Sequence, residues 1–172
     1  MSETNQSNDI LMPPTDKPAL PSGLNVLTIL TIIGCILGLI FGAYSFATAK
    51  SSLDKMEAAI NSPDYEKMPE FAKKMMSPEM LDIARKSYEN RVPINLINFV
   101  ALGLCLFGAL QMRKLKAQGY PLYVVGELLP ILATAFFIGV KPLTGMMGII
   151  TIGLALLFVL LYTAQRKYLT VK

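Results

Sequence analysis

One carboxylate stands inside the most apolar part of the chain. Glu127 lies in YVVGELLPIL, residues 123–132, and the run continues apolar to Val140. Pro130 follows three residues later. A proline has no N–H for the carbonyl four residues back, here that of Gly126. In a helix, a carboxylate and an unpaired carbonyl would therefore sit side by side at residues 126 and 127. Two such acceptors need a donor, a proton or a cation when water is scarce. Thr31 lies at the same depth by residue counting and is one expected donor. Water from the near surface, or Arg113 and Lys114 from the adjoining connection, are the others. The structural reading is a satisfied buried glutamate. The functional reading is a protonatable or cation-binding site.

Other chemistry is scarce. The 172 residues include no His and no Trp. A Ser-His-Asp triad and histidine-ligated metal or haem are therefore excluded. Cys35 and Cys105 both fall in apolar runs, without CxxC or CxxH spacing. No GxGxxG or GxxxxGK phosphate loop occurs. One carboxylate without histidine is too little for an ordinary acid–base pair. The expectation is a protein without catalytic residues, cofactor or bound metal.

Composition says what surrounds Glu127. The chain is 53% hydrophobic and 16% charged, against about 25% charged in soluble domains. The apolar residues fall in four blocks: 24–49, 94–112, 121–140 and 143–162. A hydrocarbon core about 30 Å thick takes roughly 20 apolar residues of helix, and each block suffices. Glu127 is the one formal charge in any of them. The first block is too long for a signal-peptide core and has one preceding lysine, Lys17, so an uncleaved span is expected despite Ala47-Thr48-Ala49. Ile33-Gly34-Cys35 resembles a lipoprotein cleavage site, but the chain stays apolar past the cysteine. The expected fold is all-α: a four-transmembrane-helix bundle, residues 24–172, behind a disordered Pro-rich tail, residues 1–23.

Glu127 lies six residues into its span, about 9 Å along the axis at 1.5 Å per residue. Tyr120 and Tyr123 suit the interface. By the same counting Asn95 and Asn98 lie near the opposite surface and should not reach it.

Small residues indicate how the spans meet, because close packing replaces the hydrophobic drive in lipid. Gly34, Gly38 and Gly42 form a GxxxGxxxG stripe, and Thr31, Cys35, Gly38, Gly42, Ser45 and Ala49 share one side. Asn95, Asn98, Ala101, Cys105 and Gly108 share a face of the second span. Gly145, Gly148 and Ala155 mark the fourth. The partner of the first stripe is either a helix of the same chain or a second copy. Gly119 is expected to cap the second span in the left-handed region.

The net charge of +4 comes without a basic run interleaved with aromatics, so no nucleic-acid partner is expected. The basic residues flank the blocks instead. Arg113, Lys114 and Lys116 lie between spans two and three, and Arg166, Lys167 and Lys172 follow span four. Their density near short connections places both termini in the cytoplasm and residues 50–92 outside. That loop holds two helix starts, Ser62-Pro63-Asp64 and Ser77-Pro78-Glu79. Short amphipathic helices with Met68, Phe71, Met75, Met76 and Leu81 on their apolar faces are expected, resting on the bundle, on headgroups or on a partner.

The string RKLKAQGYPLYVVGELLP (113–130) after a second span, with four spans and a Pro-rich tail, resembles small uncharacterised membrane proteins of Bacteroidota from about Leu24 onward. The resemblance implies a bacterial inner membrane and carries no activity. The reading is an integral membrane protein acting without catalysis, as a subunit or scaffold among other membrane proteins or with itself. A small transporter or channel centred on Glu127 is the alternative.

Overall fold

The computed structural model describes residues 20–170. The tail expected to be disordered lies outside the described residues up to position 19. Every regular element is helical, and the fold is an all-α bundle. Helix α1 is Ser22–Ile60, α2 Glu70–Met75, α3 Pro78–Glu89, α4 Arg91–Arg113, α5 Gly119–Phe137, α6 Lys141–Thr144 and α7 Met146–Gln165. Four of them, α1, α4, α5 and α7, are long and apolar enough to cross a membrane. No more than 22% of any apolar window is buried within the bundle. Leu132, Phe136, Ile149 and Leu160 are among many large apolar side chains facing outward. In water that much apolar surface would drive aggregation. Hydrocarbon suits it.

Helix α1 begins at Ser22 and runs well past Ala49, to Ile60. The turns beyond Ala49 are polar, which hides them from a hydropathy reading. They still have helix formers at most positions and no proline until Pro63. This overhang anchors the rest of the 50–92 segment. Arg85 of α3 pairs with Glu57 at 2.7 Å, and Leu53 is buried. Glu57 holds the Arg85 guanidinium above its ordinary pKa. Lys141 of α6 pairs with Glu79 at 2.7 Å, and that carboxylate raises the Lys141 pKa likewise. Residues 50–92 and the α5–α7 connection therefore share one end of the bundle. The Tyr65 hydroxyl donates to the carbonyls of Lys73 and Met76, 3.3 Å from each, and ties α2 down.

The two expected helix starts behave differently. Ser77 caps α3, its hydroxyl accepting from the Met80 N–H at 3.3 Å, with Pro78 at the first position. Ser62 makes only a turn with the Asp64 N–H, followed by a single 3-10 turn, Tyr65–Lys67. Pro69, six residues past Pro63, interrupts any helix started at Ser62.

The expected left-handed cap at Gly119 is corrected. Helix α4 stops at Arg113, and Leu115 takes the positive φ of 58°. The Lys116 N–H reaches the Gln111 carbonyl at 3.1 Å and the Leu115 N–H that of Met112 at 2.9 Å. These two bonds form a Schellman cap. A leucine can hold this place because its side chain is buried in the core. Gly119 starts α5 and has a different task. A Cβ on Gly119 would stand 2.5 Å from the Gly108 carbonyl, and one on Gly108 would stand 2.7 Å from the Gly119 carbonyl. The backbones of α4 and α5 touch there.

The core is lopsided. Leu24, Leu27, Met112, Leu115, Tyr123, Tyr162 and Leu169 close the end that carries the start of α1 and the end of α7. Toward the 50–92 end the helices diverge around two cavities, described next.

Candidate functional site

The site is assembled by α4 and α5. Gly126 brings them together, since a Cβ there would stand 2.7 Å from Cys105 Sγ and 2.8 Å from the Ala101 carbonyl. Glu127 follows Gly126 directly, so the same contact sets Cys105 beside the carboxylate, with Sγ 3.7 Å from Oε2. Tyr123, one turn back on the same face of α5, lies beside it too. Helix α5 continues through Pro130, so the Gly126 carbonyl is left without its usual donor. The Thr134 hydroxyl bonds the Pro130 carbonyl at 2.8 Å.

Two of the donors expected for Glu127 are engaged elsewhere. Thr31 Oγ1 bonds the Tyr162 hydroxyl at 2.8 Å. Arg113 donates to Thr28 Oγ1 at 3.2 Å. Residue counting found the right level but not the rotation about each helix. Tyr162 ends the fourth apolar block. It is fully buried, its ring 4.4 Å from that of Tyr123 at 49°. Thr31, Tyr162, Tyr123, Cys105 and Glu127 thus make one buried polar cluster to which all four spans contribute. A tyrosine at the end of a span, on the small-residue face, was the available signal for Tyr162.

Above the cluster the bundle opens. A cavity of ≈ 350 Å³ has Glu127, Gly126 and Pro130 on one wall, Gly38 and Gly42 of α1 opposite, and Thr151 of α7. Asn95 and Asn98 line it as well. They share the space with Glu127 from its other end, the Asn95 amide donating to the Arg91 carbonyl at 2.7 Å. Level counting does not show this space, because it treats the helices as packed side by side. A second cavity, ≈ 520 Å³, lies nearer the 50–92 end and shares Gly42, Asn95 and Asn98 with the first.

Within this chain one glycine of the stripe packs on a neighbouring helix. An added Cβ on Gly38 would meet the Leu102 side chain at 3.0 Å. Gly34 and Gly42 would meet nothing within 4 Å. Gly42 widens the cavity, and Gly34 points away from every neighbour in the chain. Gly148 packs on the backbone of Pro142 and Leu143, inside its own connection, and Gly145 begins α7. Gly108 and Gly126, with Gly119, carry the close helix contact.

Chemically the cluster offers one carboxylate, one donorless carbonyl, a thiol and phenols. No group of three or more metal-ligating side chains occurs among the described residues. Such a set can hold and release a proton, or hold one weakly coordinated cation. The chain matches no protein-family model, no curated protein and no solved structure.

Proposed function

We propose that the chain is a multi-pass protein of a bacterial inner membrane that binds a proton or a cation at Glu127 and catalyses no reaction. The observation that carries this reading is the cavity: Glu127 lines a largely apolar space between the four spans, with the Asn95 and Asn98 amides and the Thr151 hydroxyl as its other polar side chains. An ionised carboxylate within a span costs several kcal/mol unless it is paired, hydrated or protonated. The orientation has both termini in the cytoplasm. Arg113, Lys114, Lys116, Arg166 and Lys167 gather at the closed end, which supports it. The resemblance to Bacteroidota membrane proteins supports the inner membrane. The test is reconstitution of purified protein and its Glu127→Gln form in liposomes. Proton or cation uptake that is lost in the variant is the expected result. Equal uptake, or none in either form, ends the reading.

A second reading, a subunit or scaffold for other membrane proteins or for itself, has its own observation. Phe71 and Met75 are 72% and 58% exposed on the segment beyond the spans. Co-purification of a partner, lost when residues 62–90 become a flexible linker, would support it. A monomer without partners would end it.

A further inference from the structure

We infer that the ligand of Glu127 is a proton and that it arrives only from the end of the bundle that carries residues 50–92. This deepens the reading of Glu127 as a binding site and rests on it. The two cavities meet at Gly42, Asn95 and Asn98. Together they lead from Ser87 and Arg91 at the mouth to Glu127 at the floor. Amide and hydroxyl groups along the way supply the polar partners that water needs in a space of this size. On the far side of Glu127 the way is shut by the Tyr123 and Tyr162 rings, in contact at 49°, and by Met112 and Leu24, all buried.

Charged side chains are few along the way. Among the described residues, Arg91 is the one charged side chain lining the outer cavity, and Glu127 the one lining the inner. Arg91 is held there by its bond to the Tyr88 carbonyl, 3.1 Å, and by its position 4.1 Å over the Tyr88 ring. A fixed guanidinium at the mouth disfavours a metal cation and a proton alike, so the ligand is selected at the floor. At the floor, one carboxylate and the Gly126 carbonyl are too few ligands for a hard cation, which takes six or so oxygens. The titratable groups facing Glu127 are Cys35 from α1, Cys105 from α4, Tyr123 from α5 and Tyr162 from α7. None is a base that would hold the carboxylate permanently ionised.

The test uses the full chain in proteoliposomes, with orientation read from an impermeant maleimide on Ser62→Cys. A lipid-soluble carbodiimide modifies protonated carboxyls, and mass spectrometry counts the adduct on Glu127 while the pH of each side is set separately. The expected result is labelling that rises as the pH at the 50–92 side falls and ignores the pH of the other side. Sodium and potassium at fixed pH should leave it unchanged. Gly42→Leu, which puts a side chain into the shared space, should abolish the dependence on that side, whereas Gly34→Leu should not. Labelling that follows the terminal side, protection by sodium or potassium, or a Gly42→Leu protein that behaves as wild type would each overturn the inference. Sided labelling without uptake in the Glu127→Gln comparison would remove the broader function and leave the proton path standing.

Discussion

Gly108 and Gly119 lie backbone to backbone, each where a Cβ on the other would strike its carbonyl oxygen. Nothing flexible stands between them, so neither position can relax around a methyl group. Gly108→Ala and Gly119→Ala should each destabilise the bundle by about 1–3 kcal/mol, the usual cost of overpacking. Gly34→Ala and Gly42→Ala meet open space. They should be neutral or stabilising, by up to about 1 kcal/mol from helix propensity. Reversible unfolding in mixed micelles would rank the four. A large loss at Gly34 would mean that a second copy or a partner packs there.

Leu115 combines an unfavourable backbone with a favourable burial. The left-handed conformation costs a non-glycine residue about 1–2 kcal/mol, and burying a leucine returns about 1.5–3 kcal/mol. Leu115→Gly gives up both and should change stability by less than about 1 kcal/mol. Leu115→Ala keeps the strained backbone and loses most of the side chain, so it should be the worse of the two, by about 1–2 kcal/mol. Unfolding midpoints of the pair settle the order.

The Thr31–Tyr162 bond joins α1 to α7 inside the span region. Tyr162→Phe removes the hydroxyl and should cost about 0.5–1.5 kcal/mol. Thr31→Val strands the buried phenol and should cost more, about 1–3 kcal/mol. The double variant should fall below the sum of the two. An additive cycle would show that the hydroxyls do not interact.

Much of this architecture can be read from residues alone, and the reason is length. Four apolar blocks each matched to a bilayer leave few alternatives, and the helices α4, α5 and α7 begin and end within a few residues of their blocks. The shared faces were legible too: Thr31, Cys35, Ala101, Cys105, Gly108 and Ala155 are all buried. Periodicity says which residues share a side. It does not say how far away the neighbouring helix stands. That is why Gly42 reads as a contact and proves to be the wall of a cavity, which Asn95 and Asn98 line together with Glu127. The backbone contact of α4 on α5, Gly108 on Gly119, escapes because Gly119 sits at an element boundary and looks like a cap. The polar overhang of α1 escapes because hydropathy ends where the bilayer does, while the helix does not.

Ser77 and Ser62 begin the same Ser-Pro-acid motif, but only Ser77 heads a helix of several turns. Ser77→Ala should cost about 1 kcal/mol, the usual value of an N-cap. Amide exchange at Met80 and Leu81 should quicken. Ser62→Ala should leave exchange in α3 unchanged. Equal effects at the two positions would mean that α3 does not depend on its cap.

Pro130 sets structural and functional demands against each other. Replacing it by alanine restores an N–H to the Gly126 carbonyl and closes the break in the α5 ladder. In a helix interior this removes a cost of up to about 3 kcal/mol, though less where neighbouring helices already accommodate the proline. Pro130→Ala should therefore raise the unfolding midpoint. The same bond takes away the acceptor beside Glu127, so a proton held there would lose its second oxygen. Stability and proton uptake should move in opposite directions, the first up and the second down. If both rise, the carbonyl has no part in the site and Glu127 acts alone. If both fall, Pro130 is needed for the shape of α5, and its effect on uptake is indirect.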